Sequence, residues 1–378
     1  MRLTRLFSEF FQSEKTGGII MLLCTALSLG LANSAWSDAY LGFWHLDIAG
    51  HSLTHWINDG LMAIFFLLIG LELEREIYIG ELSDIKNAML PVFAALGGVL
   101  VPAGIYLSLN MGTPTQSGAG IPMATDIAFA IGMLAMLGNR IPASLKVFLT
   151  ALAVIDDLMA IIVIAVFYTN EISFTYISLV AGIFIAMIIM NRLRVRNLIP
   201  YLAGGVAMWY CMLHSGIHAT LAGVLTAFAI PFGKGDKQST SYILQHTLHI
   251  PVAYFIIPLF ALANTCIVLE PGWINGLMDN SALGIFAGLV IGKPLGILLF
   301  SLAAISAGIC SLPSDLRWKH LAGAAILAGI GFTMSIFVTM LAFTDNGHIT
   351  TAKTAIIFAS LTAGIAGLSW LSVVFRKK

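Results

Sequence analysis

Apolar residues fill this chain in stretches of about twenty, parted by short polar segments, which is the spacing of helices that cross a bilayer. Hydropathy windows predict about twelve spans, near 17–34, 57–78, 89–109, 119–138, 146–169, 173–190, 198–213, 216–231, 241–266, 282–304, 320–343 and 350–375. The expected fold is an all-α polytopic membrane protein with no soluble domain. Ahead of the first span, Leu3, Leu6, Phe7, Phe10 and Phe11 share one helical face and oppose Arg2, Arg5, Glu9 and Lys15. That pattern predicts an interfacial helix over 1–16, leading into a single membrane domain over 17–378. The external loop 35–56 carries FWHLDIAGHSLTHW, whose alternation around Ala49-Gly50 suits either a short hairpin or a plain loop.

Charge sets the orientation. Arg75, Lys86, Arg140, Lys146, Arg192, Arg194, Arg196, Lys234, Lys237, Arg317, Lys319, Arg376, Lys377 and Lys378 fall on the same side as the basic N-terminus. The opposite loops hold Asp38, Asp47, Glu171, Glu270, Asp279 and Asp345, with Lys353 as the one base. The positive-inside rule then puts both termini in the cytoplasm, which requires an even number of spans. Composition agrees: 58% of residues are hydrophobic and 10% charged. The net charge is zero and no basic tract occurs, so nucleic acid is not an expected partner. Cys24, Cys211, Cys266 and Cys310 sit in or beside apolar runs without metal spacing and read as thiols, not disulfides.

Two spans are interrupted in their middles. Near 119–138, Pro122 precedes Thr125-Asp126; near 320–343, Gly329, Gly331, Thr333 and Ser335 break the apolar run. Each is the central member of a three-span group, 89–169 and 282–375, and the two groups start on opposite sides of the membrane. Interruptions at matching positions of inverted repeats point to a transporter's binding site. Half-helix ends carry partial charges. Asp126 could neutralise positive ends, and Thr125 could lend its hydroxyl to an ion or to loose carbonyls.

The strongest anomaly is Asp156-Asp157, inside VFLTALAVIDDLMAIIVIAVFY. A carboxylate at mid-bilayer costs roughly 2.5–3.5 kcal/mol on insertion scales, and apolar neighbours at about 0.3–0.6 kcal/mol each bring the helix near break-even. Acids kept at that depth mark ion or proton paths. Adjacent helical residues point about 100° apart, so the two aspartates need different tasks. Lys293, in GLVIGKPLG, is the one lysine deep within an apolar span and the natural partner. Sodium, as a hard cation, wants oxygen ligands, which Asp157, Asp156, Thr125 and water would supply. Carboxylates out of water hold a proton or a cation, but not both well. That competition drives exchange if the site opens to one side at a time. The stripe Gly284, Gly288, Gly292 and Gly296 reads as a packing face. Glu72, Glu74, Arg75 and Glu76 are either a solvated helix end or an acidic cation funnel. His246 and His249 suit a titrating pair better than a zinc site. His214 and His218 read as satisfied helix-end groups.

At these residues the chain resembles the NhaA family of bacterial sodium/proton antiporters. LLIGLELEREI, PMATDIAFAIGMLAMLG, VIDDLMAI, HSGIHATLAG, IGKPLG and GIGFTMSIF carry the resemblance nearly end to end. It implies twelve spans with inverted repeats and two crossing discontinuous helices in the bacterial inner membrane. It implies electrogenic export of sodium or lithium against more than one proton, without a cofactor. It implies a homodimer formed through the external hairpin, here 35–56, and a core bundle (89–169, 282–375) beside an interface bundle (17–78, 173–266). Asp156 and Asp157 match the ion-binding pair, Thr125 and Asp126 the broken-helix positions, and Lys293 the lysine that pairs with the first aspartate. Glu72, Arg75, Glu76, His246 and His249 match the pH-responsive region. Gln245 stands where a glutamate is usual, which leaves the pH range of activation open; Met159 replaces a usual glycine.

Three other classes fit less well. An intramembrane aspartyl protease, the one enzyme reading, places its aspartates on separate helices. A channel needs an acidic ring or carbonyl filter. A sodium-coupled symporter of an organic solute is the nearest alternative.

Overall fold

The computed structural model describes residues 5–169, 173–269 and 273–376. Arg2, Leu3, Glu171, Glu270, Lys377 and Lys378 therefore lie outside the described residues, as do the side chains of residues 5–15 and of Lys86. Among the described residues the chain is all-helical apart from one hairpin. Eight helices among these residues are each long and apolar enough to cross a membrane: Leu53–Tyr78, Asn87–Asn110, Gln116–Ala135, Ala143–Phe167, Phe174–Arg192, Thr240–Asn264, Asn280–Ser306 and Asn346–Val374. The pair Trp318–Ala328 and Phe332–Ala342, bent by 45°, forms another span. The shorter Thr16–Ala32, Leu198–Leu213 and Leu221–Ala229 complete the twelve that the hydropathy pattern predicts. We number these spans one to twelve in chain order. The helix of span one begins at Arg5 and runs without a break to Ala32.

The two interrupted spans are discontinuous for local reasons. In span four, Pro122 stands within a 3-10 segment, Gln116–Met123. Ala124 and Asp126 are extended, and an α-helix restarts over Ile127–Ala135. A 3-10 segment of that length is unusual, because its hydrogen-bond geometry is poor. Two tyrosines hold it from outside. Tyr106 Oη donates to Thr115 O at 2.7 Å. Tyr168 Oη donates to Ser117 O at 2.7 Å and accepts from Gly120 N at 3.1 Å. In span eleven the helix stops at Ala328 and resumes at Phe332, with Gly329 and Gly331 in the gap.

Span ten packs along span three, and the glycine stripe is the contact. A methyl group on Gly97 would lie 2.1 Å from Gly296 O, and one on Gly296 would lie 2.0 Å from Gly97 O. Only paired glycines allow backbones this close. Span two packs on span eight, and span one on spans four and nine.

The loop after span one forms a helix, Ser37–Trp44, and then the hairpin. Asp47 pairs with Ser52 and Ile48 with His51, antiparallel. Its two-residue turn needs positive φ at both central positions, and Ala49 (56°) and Gly50 (87°) supply it. Asp47 Oδ1 accepts from Gly50 N at 2.8 Å and so holds the turn. All four cysteines are free thiols.

Candidate functional site

Spans four and eleven cross at their breaks. Asp126 N donates to Ile330 O at 2.7 Å, so the two gaps are joined backbone to backbone. Four helix ends meet there: the C-terminal ends at Met123 and Ala328, and the N-terminal ends at Ile127 and Phe332. One carboxylate serves both N-terminal ends. Asp126 Oδ1 accepts from Phe129 N at 2.9 Å in its own half-helix. Its Oδ2 accepts from Thr333 N at 3.0 Å and Thr333 Oγ1 at 2.5 Å in the other. The negative ends receive donors instead: Thr125 Oγ1 reaches Ala328 O at 2.9 Å, and Lys293 Nζ donates to Met123 O. Partial charges that would be costly in the membrane interior are thus each met by an opposite partner.

The aspartates of span five stand against this crossing. Asp156 and Asp157 are 1% and 2% exposed, and Lys293 is wholly buried. Lys293 Nζ lies 2.7 Å from Asp156 Oδ2, and Thr125 also approaches that carboxylate. Lys293 does not snorkel: its ammonium spans two carbonyl-type oxygens on separate elements. Asp157 points elsewhere, as the 100° step requires, and lies within electrostatic reach of Asp156, Asp126, Lys293 and Glu72. Asp156 Oδ1 and Asp157 Oδ1 are buried with no hydrogen-bond partner in the protein. A buried acceptor that accepts nothing costs about 1–3 kcal/mol, so these atoms favour a proton or a hard cation. No group of three histidine, cysteine or acidic side chains gathers for a resident metal among the described residues. A transported alkali ion needs less: two carboxylates with hydroxyl, carbonyl and water oxygens.

Toward the C-terminal end of span two, Gln245 hydrogen-bonds the Glu72 carboxylate, with Arg75 and Glu76 within electrostatic reach. Arg75 sits 6.0 Å over the Tyr242 ring, which stacks with His246 at 6.1 Å; His249 is adjacent in charge to His246. The cluster therefore joins spans two and nine. Glu74 does not belong to a solvated helix end: it is 5% exposed and accepts from Ser241 Oγ at 3.4 Å. His214 Nδ1 and His218 Nε2 meet Tyr210 O and Tyr168 O at 3.0 and 2.8 Å, as satisfied helix-end groups should.

The profile of a family described as "Na+/H+ antiporter 1" matches residues 8–371. The chain belongs to the Na+/H+ antiporter 1 family. Its relatives in this family include Na(+)/H(+) antiporter NhaA 1 of Flavobacterium johnsoniae, 63% identical, covering 99% of this chain and 98% of that protein. NhaA of Flavobacterium psychrophilum is 62% identical, covering 100% and 98%. NhaA of Dechloromonas aromatica is 59% identical, covering 98% and 96%. The fold is also similar to the solved structure of the sodium proton antiporter MjNhaP1 from Methanocaldococcus jannaschii. That likeness has a TM-score of 0.55 at 15% identity and covers 100% and 99% of the two chains.

Several contacts at the crossing of this antiporter-family chain are not evident from sequence. Ser360, on span twelve, accepts from Phe332 N at 3.1 Å and satisfies an orphan donor of the broken helix. Ser335 Oγ donates to Ile121 O at 2.7 Å and ties the two broken spans together. The Met123 carbonyl is a backbone atom and leaves no sequence signal. Thr333 and Ser335 stand out in sequence as polar interruptions, but their partners lie 207 and 214 residues away.

Proposed function

We propose that this chain is an electrogenic sodium(lithium)/proton antiporter that exports cytoplasmic Na+ in exchange for more than one external H+ by alternating access. The observation that carries this reading is the pair of unpartnered carboxylate oxygens at Asp156 and Asp157, beside the crossing of two broken helices. Asp157 is the main metal ligand. Asp156, with Thr125, shares the site and couples it to Lys293. When the cation arrives, the carboxylates exchange protons for it. Asp156 then loosens its hold on Lys293, which leaves the lysine's proton part of the account. Because a coupled cluster titrates as a unit, the protons belong to Asp156, Asp157 and Lys293 together. Asp126 keeps the half-helix ends neutral whichever charge occupies the site.

The remaining parts follow from the same reading. Glu72, Arg75, Glu76, His246 and His249 form a pH-responsive region, with Gln245 in place of an acidic group. The core bundle comprises 89–169 and 282–375, and the interface bundle 17–78 and 173–266. The 1–16 segment lies at the cytoplasmic face of the inner membrane, and both termini are cytoplasmic. Two copies associate through the 35–56 hairpin.

Everted vesicles holding an imposed pH gradient test the function. Added Na+ or Li+ should dissipate the gradient with no organic solute present, and K+ in the same assay defines the ion range. A gradient that responds only when an organic solute accompanies Na+ would favour the symporter instead.

A further inference from the structure

Span ten is not a plain α-helix. Between Asn280–Ala287 and Lys293–Ser306 it passes through one π-turn, Gly288–Gly292, in which Lys293 N donates to Gly288 O. π-turns insert one residue into a helix and gather at functional sites. This one ends on the lysine that pairs with Asp156. We infer that the π-turn, enforced by Pro294, positions Lys293 between Asp156 and the Met123 carbonyl, and that Pro294 is therefore a positioning residue of the exchange site.

The chemistry of proline supplies the cause. In an unbroken α-helix the Pro294 ring would collide with Val290 O, which would also find no N–H there. Widening the turn by one residue removes the collision. It also leaves Leu289 O without a donor along the helix. Its α-register donor, Lys293 N, is engaged at Gly288 O, and its π-register donor would be Pro294, which has no N–H. That carbonyl points at the break in span eleven: a methyl group on Gly329 would stand 2.4 Å from Leu289 O. The other broken span is seated on the same turn. A methyl group on Gly288 would stand 2.7 Å from the Pro122 side chain, and Pro122 directly precedes the carbonyl that Lys293 holds.

Register explains the aim. An α-helix advances about 100° per residue, so a stripe repeating every four residues drifts about 40° per step. The slower winding of the π-turn takes out that drift. Gly284 faces Tyr106, Gly292 faces Pro102 and Gly296 faces Gly97, all along span three. With the stripe locked on span three, Lys293 is directed at span five. Without the extra residue, everything after the turn would rotate by about 100° relative to what precedes it, and Lys293 and the stripe could not both keep their partners.

This inference rests on the exchange site proposed above. Its test is Pro294→Ala, which restores the N–H and removes the ring, with Pro294→Gly as a second variant should the first not reach the membrane. Each is reconstituted in vesicles and compared with Lys293→Ala and with the Lys293→Ala/Pro294→Ala double variant. Net charge per cycle should fall in Pro294→Ala. The pH midpoint of exchange should move by about 0.5 unit or more, a threefold change in proton affinity. In the Lys293→Ala background the same substitution should add no further shift, because Pro294 acts through the lysine. A variant that folds and keeps the wild-type charge and midpoint overturns the inference, as does a shift that adds in full to that of Lys293→Ala. Exchange that survives Asp157→Asn would instead sink the site itself, independently of Pro294.

Discussion

Asp126→Asn removes one negative charge from a point where two helix N-termini converge. The carboxylate accepts three hydrogen bonds, from Phe129 N, Thr333 N and Thr333 Oγ1. An asparagine has one acceptor oxygen, so its amide group must face donors on one of the two helices. Losing a cap costs about 1 kcal/mol. Loss of the charge-dipole term costs up to about 2 kcal/mol at a partly buried end. A buried donor left unsatisfied adds about 1–3 kcal/mol. Together these give roughly 2–6 kcal/mol, a large share of the 5–15 kcal/mol typical of a folded domain. The assay is the thermal unfolding midpoint in detergent, read beside Na+-driven gradient dissipation in vesicles. The variant should unfold several degrees lower and exchange slowly, and Asp126→Glu should not restore it, since a longer side chain cannot serve both ends at these distances. An asparagine variant as stable as the wild type would refute the reasoning. It would mean that the helix ends need only an acceptor, and that the negative charge plays no part.

Ser360→Ala should lower stability by about 1–2 kcal/mol, because Phe332 N loses its acceptor in a buried place, and Ser360→Thr should recover part of the loss; unfolding midpoints of the three proteins decide it. Gly97→Ala should be worse than Gly104→Ala, where a methyl group meets nothing within 4 Å. The overpacking cost at Gly97 is about 1–3 kcal/mol, read as expression of folded protein and unfolding midpoint. Tyr168→Phe removes the hydroxyl that bonds Ser117 O and Gly120 N, and should loosen the 3-10 half of span four, seen as faster amide exchange at Gly120. Proton competition fixes the sign of the pH dependence: the sodium concentration for half-maximal exchange should rise as pH falls. It should do so tenfold per unit for each proton displaced, and a pH-independent value would contradict shared ligands.

The fold was largely legible because bilayer thickness imposes one period on every span. The twelve hydropathy windows coincide with helices, and both interrupted spans break where Thr125-Asp126 and Gly329-Gly331 predict. The ends of elements were less legible. Span eight reads as 216–231, yet its helix is Leu221–Ala229, because 216–220 forms a turn around the bonded His218. The Ala49-Gly50 segment left hairpin and loop equally open, and tertiary contacts such as Trp56 Nε1 to Ile48 O at 2.8 Å settle it as a hairpin. Glu74 shows the opposite failure. Its neighbours are charged and its position is at a helix end, but Ser241 on another span covers it. At the site, charge anomaly revealed Asp126, Asp156, Asp157 and Lys293. Ser360 escaped notice because a lone serine in an apolar helix carries no anomaly, and the Met123 and Leu289 carbonyls escaped because backbone atoms have no sequence code. The π-turn is similarly silent: GLVIGKPLG has the glycine spacing of an ordinary packing face, and only the bond from Lys293 N to Gly288 O reveals the added residue.

In the exchange proposed above, the same carboxylate oxygens hold either protons or sodium. The direct measurement is proton release from purified protein in weakly buffered detergent when NaCl is added, read with a pH dye against a choline chloride blank. More than one proton per chain should be released, fewer in Asp156→Asn and none in Asp157→Asn. Sodium binding without proton release, or full release from the Asp157→Asn protein, would contradict it.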